Sequence, residues 1–333
     1  MTLDGSVRVG VDGTDASRRA VRWAAEEARL RGVCLHIVHA IDPDDDAGAY
    51  EIRTAATSPA VLALLDGASA IAQHTAPGLT VETDADVCPP AIALSDARFE
   101  PVLLCVGSAG QVAPHPGHRV SLTTEVLLAA ACAVVVVRGP WAQEGWVVVE
   151  VGDGPLSADL LRAAVREASL RSLPLRVLTG SDVARDAAQT TREEIHRRIV
   201  GDLERYRRLA PDLDVVALPT VWTSEHYLSR YRNRIALYVA PARVTHDVGT
   251  VIHPDAERAL ALLSCPVMFN AELQQGFSMI DSQVRRVTVT PIPDSATAWP
   301  GRLSRTTTFT PVHPRGGPGS GRSPATSRSR SPD

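Results

Sequence analysis

Apolar residues along the first 140 positions follow two rhythms. Short, nearly continuous runs occur at Val7 to Val11, Val33 to Ala40, Val102 to Val106 and Ala133 to Val137, while Leu79 to Val87 alternates. Between them the spacing is helical. The first such segment buries Val21, Ala24, Ala25 and Ala28 on one face, can be capped by Thr14 or Asp15, and ends at Gly32. Further helices are read over 56–75, Ala91 to Ala97 and 122–131. Strands apolar on both sides need helices on each face, so the alternation predicts an α/β fold with a parallel sheet. Right-handed crossovers leave few topologies for it.

The pattern occurs twice. At an offset of 140, Val9-Gly10-Val11-Asp12 falls on Val149-Glu150-Val151-Gly152, and Glu27-Ala28-Arg29-Leu30-Arg31 on Glu167-Ala168-Ser169-Leu170-Arg171. At an offset of 133, Cys132-Ala133-Val134 falls on Cys265-Pro266-Val267, and Val102 to Val106 on Ile235 to Val239. The change of offset implies a seven-residue deletion in a middle loop of the second copy. So long a period means duplicated domains rather than a solenoid. The expected units are 1–139 and 146–272. They are joined by 138–146, RGPWAQEGW, whose Trp141 and Trp146 are expected to pack where the copies meet.

Composition adds a third region. Residues 281–333 carry eight Arg against three Asp within a chain of net charge −4, and 311–333 are almost all Pro, Gly, Ser, Thr and Arg. Such a segment cannot bury enough apolar surface to offset its ordering entropy, so 281–333 is read as a disordered tail. Residues 311–333 hold no aromatic residue, so their Ser-Arg dipeptides do not argue for nucleic acid. All 34 basic residues are arginine. The five cysteines, at 34, 88, 105, 132 and 265, are scattered and odd in number, which suggests neither a disulfide framework nor a zinc site. The longest apolar run, Val126 to Val137, is 12 residues, short of the roughly 20 that a membrane helix needs. The expectation is a cytoplasmic protein with no membrane or nucleic-acid partner.

In a doubly wound sheet, ligands sit beyond the carboxyl ends of the strands at the switch point. Three features converge there in the first copy: Val11-Asp12-Gly13 after strand one, Gly107-Ser108-Ala109-Gly110 after strand four, and Ser121, Leu122 and Thr123 opening the next helix. Glycines allow close backbone approach, and a helix N-terminus offers unpaired N–H groups to phosphate. A carboxylate at a strand end can accept from a ribose hydroxyl. Turns alone also explain strand-end Asp and Gly.

These residues resemble the universal stress protein family. Val9-Gly10-Val11-Asp12-Gly13-Thr14-Asp15-Ala16-Ser17, followed by Ala20, Trp23, Ala24 and Ala28, is similar to the family's opening strand and helix. Gly107, Gly110 and, after nine residues, Val120-Ser121 follow its G-x2-G-x9-G-[ST] motif, and Cys132 to Arg138 its closing strand. The resemblance implies two tandem doubly wound five-stranded parallel sheets of order 3-2-1-4-5. It also implies ATP, with any magnesium arriving on the nucleotide. Asp12 would meet the adenosine part, Ala40 would line the adenine pocket, and Gly107, Gly110, Ser121 and Thr123 would cradle phosphates. In single-domain members the fifth strands pair between chains. Here the two copies would make that contact internally, through Val134 to Val137 and Val267 to Phe269, with a homodimer of the whole chain left open.

The chain departs from the motif in both copies. Val120 replaces the third glycine, and a β-branched side chain resists positive φ. The loop before it holds His115, His118 and Arg119, read as solvated side chains rather than ligands; Asp42 and Asp44 to Asp46 are likewise read as a solvated loop. In the second copy Gly152 stands for Asp12, Ala240 for Gly107, Arg243 for Gly110 and His253-Pro254 for Val120-Ser121. That copy is expected to bind no nucleotide. Hydrolase and P-loop signatures are absent. The leading function is thus a regulatory stress-response protein with ATP in its first domain. A nucleotide-free scaffold comes second. A weak ATPase comes third, since no general base is in evidence.

Overall fold

The valine-rich runs form strands and the alanine-rich segments helices in a computed structural model that describes residues 5–42, 56–108, 121–152, 157–179, 189–218, 224–241, 254–270 and 303–307. The first copy comprises β1 (Ser6–Gly10), α1 (Asp15–Arg31), β2 (Cys34–Ile41), α2 (Pro59–Thr75), β3 (Val81–Val87), α3 (Pro90–Ser95), β4 (Pro101–Gly107), α4 (Leu122–Ala129) and β5 (Ala133–Val137). The second comprises β6 (Trp146–Val151), α5 (Ser157–Arg171), β7 (Leu175–Thr179), α6 (Gln189–Leu209), β8 (Val215–Leu218), α7 (Ser224–Tyr231), β9 (Ile235–Pro241), α8 (Pro254–Leu262) and β10 (Val267–Asn270).

Each copy is a parallel sheet of order 3-2-1-4-5: β3-β2-β1-β4-β5 and β8-β7-β6-β9-β10. The two are not separate sheets. β10 pairs antiparallel with β5, Val267 opposite Val136 and Phe269 opposite Val134, so the strands run as one continuous sheet. Alternation along each strand splits the core in two. Val7, Val9, Leu103, Val147, Val177 and Leu237 face α1, α2, α5 and α6, whereas Leu104, Val106, Val148, Tyr238 and Phe269 face α3, α4, α7 and α8. Trp141 touches both cores at the seam. Trp146, expected there too, packs inside the second copy instead, its ring 5.6 Å from Tyr231 and 6.4 Å from Tyr227. It opens β6, and that strand directs it under α7.

Part of the first copy's sheet is polar. Beneath the turn Ala97–Phe99, buried Arg8 lies 4.3 Å from the Phe99 ring and donates to the Asp96 carbonyl, while His36 Nε2 sits 2.7 Å from Asp84 Oδ2. Pairing within this group lets ionisable side chains stay in the interior.

The paired registers correct the repeat alignment. Val7 is opposite Leu103 and Val147 opposite Leu237, so strand four of the two copies is offset by 134, not 133. Strand three shares that offset: Leu35 faces Val81 and Leu175 faces Val215. Six residues are therefore lost between strands two and three, and one more between strands four and five. Side chains alternate faces along a strand, so a one-residue slip would turn every side chain of β9 to the wrong side. The counterpart of Gly107 becomes Pro241, and that of Val106 becomes Ala240.

The repeat creates a charged seam. α1 and α5 meet across the two-fold relation of the copies. Arg31 binds Glu167 at 2.8 Å and also Glu27, while Arg171 binds Glu27 at 2.5 Å and Glu167 at 2.6 Å. Both carboxylates are buried.

Helix ends also repeat, unequally. Gly32 closes α1 at φ 69°, whereas its counterpart Ser172 closes α5 at φ 53°. Non-glycine residues in that region cost about 1 kcal/mol or more. Ser172→Gly is therefore expected to stabilise the chain by about 1 kcal/mol in urea unfolding.

The expected disordered tail needs one amendment. Leu303–Thr307, β11, pairs antiparallel with β3, Leu303 opposite Ala85 and Thr307 opposite Val81. β3 would otherwise be an edge with unpaired backbone groups, and a segment with two threonines suits that place. The rest of 281–333 lies outside the described residues.

Candidate functional site

The end of β1 and the start of α1 are shaped by short-range hydrogen bonds. Gly13, at φ 83°, turns the chain. Thr14 caps α1, its hydroxyl accepting from the Ser17 amide at 3.2 Å, and Ser17 Oγ returns a bond to the Thr14 carbonyl at 3.0 Å. Asp12 Oδ1 accepts from the Thr14 amide at 2.9 Å and from its hydroxyl at 2.6 Å. Burial pushes the Asp12 carboxyl up. The Thr14 and Ser17 hydrogen bonds outweigh it and hold the carboxyl below the usual range, so Asp12 is an oriented anion at neutral pH. Beside it, a His39 ring nitrogen lies 2.7 Å from the Val11 carbonyl.

These residues open onto a cavity of about 100 Å³ between β1 and β4, the switch point of the sheet. Of the expected site residues, Val11, Asp12, Ala40, Gly107 and Leu122 line it together. Gly13 shapes the loop and does not line the cavity; nor do Ser121 and Thr123. Gly110 lies outside the described residues, as do Val120, His115, His118 and Arg119. The cavity also takes in Gly10, Ser17, Val38 and, from α3, Leu94. Ser17 and Gly10 belong to the opening motif and were legible from it. Val38 follows from Ala40 by strand alternation. Leu94 had no signal, since a crossing helix brings it in.

Two expected phosphate residues have structural work of their own. A Cβ on Gly107 would lie 2.4 Å from the Ala16 carbonyl carbon and oxygen and 2.7 Å from the Ser17 nitrogen, so glycine there lets β4 touch the start of α1. Ser121 is the N-cap of α4: its hydroxyl accepts from the Thr124 amide at 3.3 Å. Among the described residues no set of His, Cys, Asp and Glu is grouped to hold a metal, and no helix is long and apolar enough to cross a membrane.

Residues 6–138 match the family model described as the universal stress protein family. Similarity continues through the second copy. The chain is 27% identical over 271 residues to universal stress protein Rv2624c of Mycobacterium tuberculosis, covering 79% of this chain and 95% of that one. The first copy is thus identified with the universal stress protein family, and the chain is similar to proteins of that name through its second copy as well. A second M. tuberculosis relative, universal stress protein Rv3134c, is 28% identical over 257 residues, or 75% of this chain and 92% of its own. The fold is shared with a universal stress protein from Archaeoglobus fulgidus at TM-score 0.55 and 14% identity, over 80% of this chain and 96% of that one.

The second copy keeps the frame of this universal stress protein domain and changes the contents. Ser157, the counterpart of Ser17, still closes the loop, its hydroxyl accepting from the Gly152 amide at 3.2 Å and donating to the Gly152 carbonyl at 2.9 Å. The Asp12 carboxylate is missing, and Arg198 donates to the Gly152 carbonyl from α6. Pro241 stands for Gly107 and has no N–H to offer. Glu150 stands for Gly10, with its side chain buried. Asp153, Arg243 and His253 lie outside the described residues.

Proposed function

We propose that the first copy binds an adenine nucleotide, ATP, and that the chain acts as a regulatory stress-response protein in the cytoplasm. The observation that carries this reading is the oriented Asp12 carboxylate at the mouth of a mostly apolar cavity at the sheet's switch point. Val38, Ala40 and Leu94 form walls suited to a flat base. Asp12 would accept from the ribose hydroxyls. The phosphates would lie toward the amides of Leu122 and Thr123, which precede the first amide that Ser121 caps. The second copy, with Gly152, Pro241 and Glu150, takes no nucleotide and serves as the fixed partner of the first. Occupancy of one cleft would then bias a surface that other molecules read.

Calorimetric titration of the full chain with ATP tests this. Asp12→Ala is expected to weaken binding by about tenfold to a hundredfold, the worth of charge-assisted hydrogen bonds, with little change in unfolding temperature. Undetectable binding at millimolar ATP would remove the proposal.

The structural roles of Gly107 and Ser121 favour one second reading, a nucleotide-free interaction module. In that case Asp12→Ala alters nothing but the local turn.

A further inference from the structure

We infer that the junction of the two copies is a second ligand site, apart from the cleft of the first copy, and that it takes a small zwitterion with a flat apolar body, the chemistry of an aromatic amino acid. A cavity of about 370 Å³ opens there, against about 100 Å³ at the switch point. Pockets that hold small molecules run from roughly 300 to 1,000 Å³. One wall is the second half of α1, another is the linker after β5, and the third is the end of α5 with the start of β9. Each copy thus contributes part of the site.

The back of the cavity is electrically settled and partly apolar. Glu27 and Arg171, 2.5 Å apart, belong to the charged seam and neutralise each other. The almost wholly buried Trp23 has its ring 5.8 Å from the Arg171 guanidinium. Trp141, half-buried in the linker, lines the same space, as does Leu173. Two indoles and an aliphatic side chain suit a flat ring, because aromatic surfaces stack or meet edge to face.

The mouth carries one charge of each sign. Glu26 and Arg29 both line it and lie one turn apart on α1, with roughly 5–6 Å between Cβ atoms. Among the described residues neither has an ion-pair partner. Glu26 Oε1 accepts from the neutral Gln143 amide at 3.1 Å, a bond that also ties the linker to α1. Arg29 is exposed. An ammonium and a carboxylate on one carbon match this pair, the ammonium toward Glu26 and the carboxylate toward Arg29. A simple anion would be opposed by Glu26, and a simple cation by Arg29. The repeat does not reproduce the pair: α5 carries Ala163, Arg166 and Ser169 where α1 carries Trp23, Glu26 and Arg29. One site per chain is therefore expected.

Titration of the full chain with L-phenylalanine, by calorimetry and by the shift in unfolding temperature, tests the inference. Binding is expected with a rise in unfolding temperature, since a ligand held by the folded chain favours it. Glu26→Ala and Arg29→Ala are each expected to weaken binding by about tenfold, with the unfolding temperature of the unliganded chain unchanged. Phenethylamine, which lacks the carboxylate, and phenylpropionate, which lacks the ammonium, are expected to bind about tenfold more weakly than phenylalanine. Asp12→Ala should leave phenylalanine binding as it is, which separates this site from the nucleotide cleft. Either analogue binding as tightly as phenylalanine overturns the zwitterion assignment. Undetectable binding at millimolar phenylalanine, or binding that Glu26→Ala and Arg29→Ala leave unchanged, overturns the site.

Discussion

Glu167→Gln is expected to lower the stability of the whole chain by about 3–5 kcal/mol, the cost of removing one member of a buried charged group and leaving the rest unpaired. The substitution touches neither the cavity nor a strand, so its effect comes from the seam. Arg31 and Arg171 each bind both carboxylates, and Glu27 and Glu167 are almost wholly buried. Without Glu167, two guanidiniums face one carboxylate. The effect should depend on pH. Burial raises the Glu167 carboxyl, but Arg171 and Arg31 outweigh it and hold it below its usual 4.5. Its contribution is thus complete above pH 4.5 and lost as the pH falls below that, so the variant should show a shallower acid unfolding than the natural chain. A double-mutant cycle of Glu167→Gln with Arg171→Gln should be far from additive. Replacing all four with Met and Leu should recover most of the loss, because a filled apolar seam has no charge to desolvate. A single-site loss under 1 kcal/mol would contradict the seam's role.

The second large effect is expected at Gly107. Gly107→Val should cost about 3 kcal/mol or more and also disturb the Asp12 loop. Any Cβ there would overlap the backbone of Ala16, and backbone cannot rotate away as a side chain can. Relief requires moving the start of α1, which carries the Thr14 cap and through it the Asp12 carboxylate. Stability and ligand binding should fall together, unlike in Asp12→Ala. Urea unfolding with a parallel ATP titration separates the two. A stable Gly107→Val chain would mean that α1 is not pinned as described.

These two sites show what was legible in the sequence. The apolar runs and their repetition place ten strands, and the resemblance to the universal stress protein family supplies their order. The offset of 140 aligns Glu27 and Arg31 with Glu167 and Arg171, yet nothing in the alignment says the four meet. Their meeting follows from the antiparallel pairing of β5 with β10, which relates the copies by a two-fold. Gly107 was read as a phosphate residue because its motif has that use elsewhere; the contact with Ala16 joins residues 91 positions apart and leaves no local pattern. Ser121 is similar, a helix cap whose spacing also fits the motif. Strand four of the second copy was placed one residue out of register because Ala, Val and Leu fit either alignment by type. Only the pairing of Val147 with Leu237 fixes the face. The same alignment sets Glu150 on Gly10 but shows nothing of its surroundings, since Ser224, Tyr238, Asp255 and Arg258 lie 74 to 108 positions away.

The duplication and its inequality meet in one measurement: the stoichiometry of ATP binding to the full chain, by titration calorimetry or native mass spectrometry. One nucleotide per chain is expected, held about tenfold to a hundredfold more weakly in Asp12→Ala and unchanged in Glu150→Gln. Two nucleotides per chain, or one whose affinity Asp12→Ala leaves unchanged, would contradict the proposal.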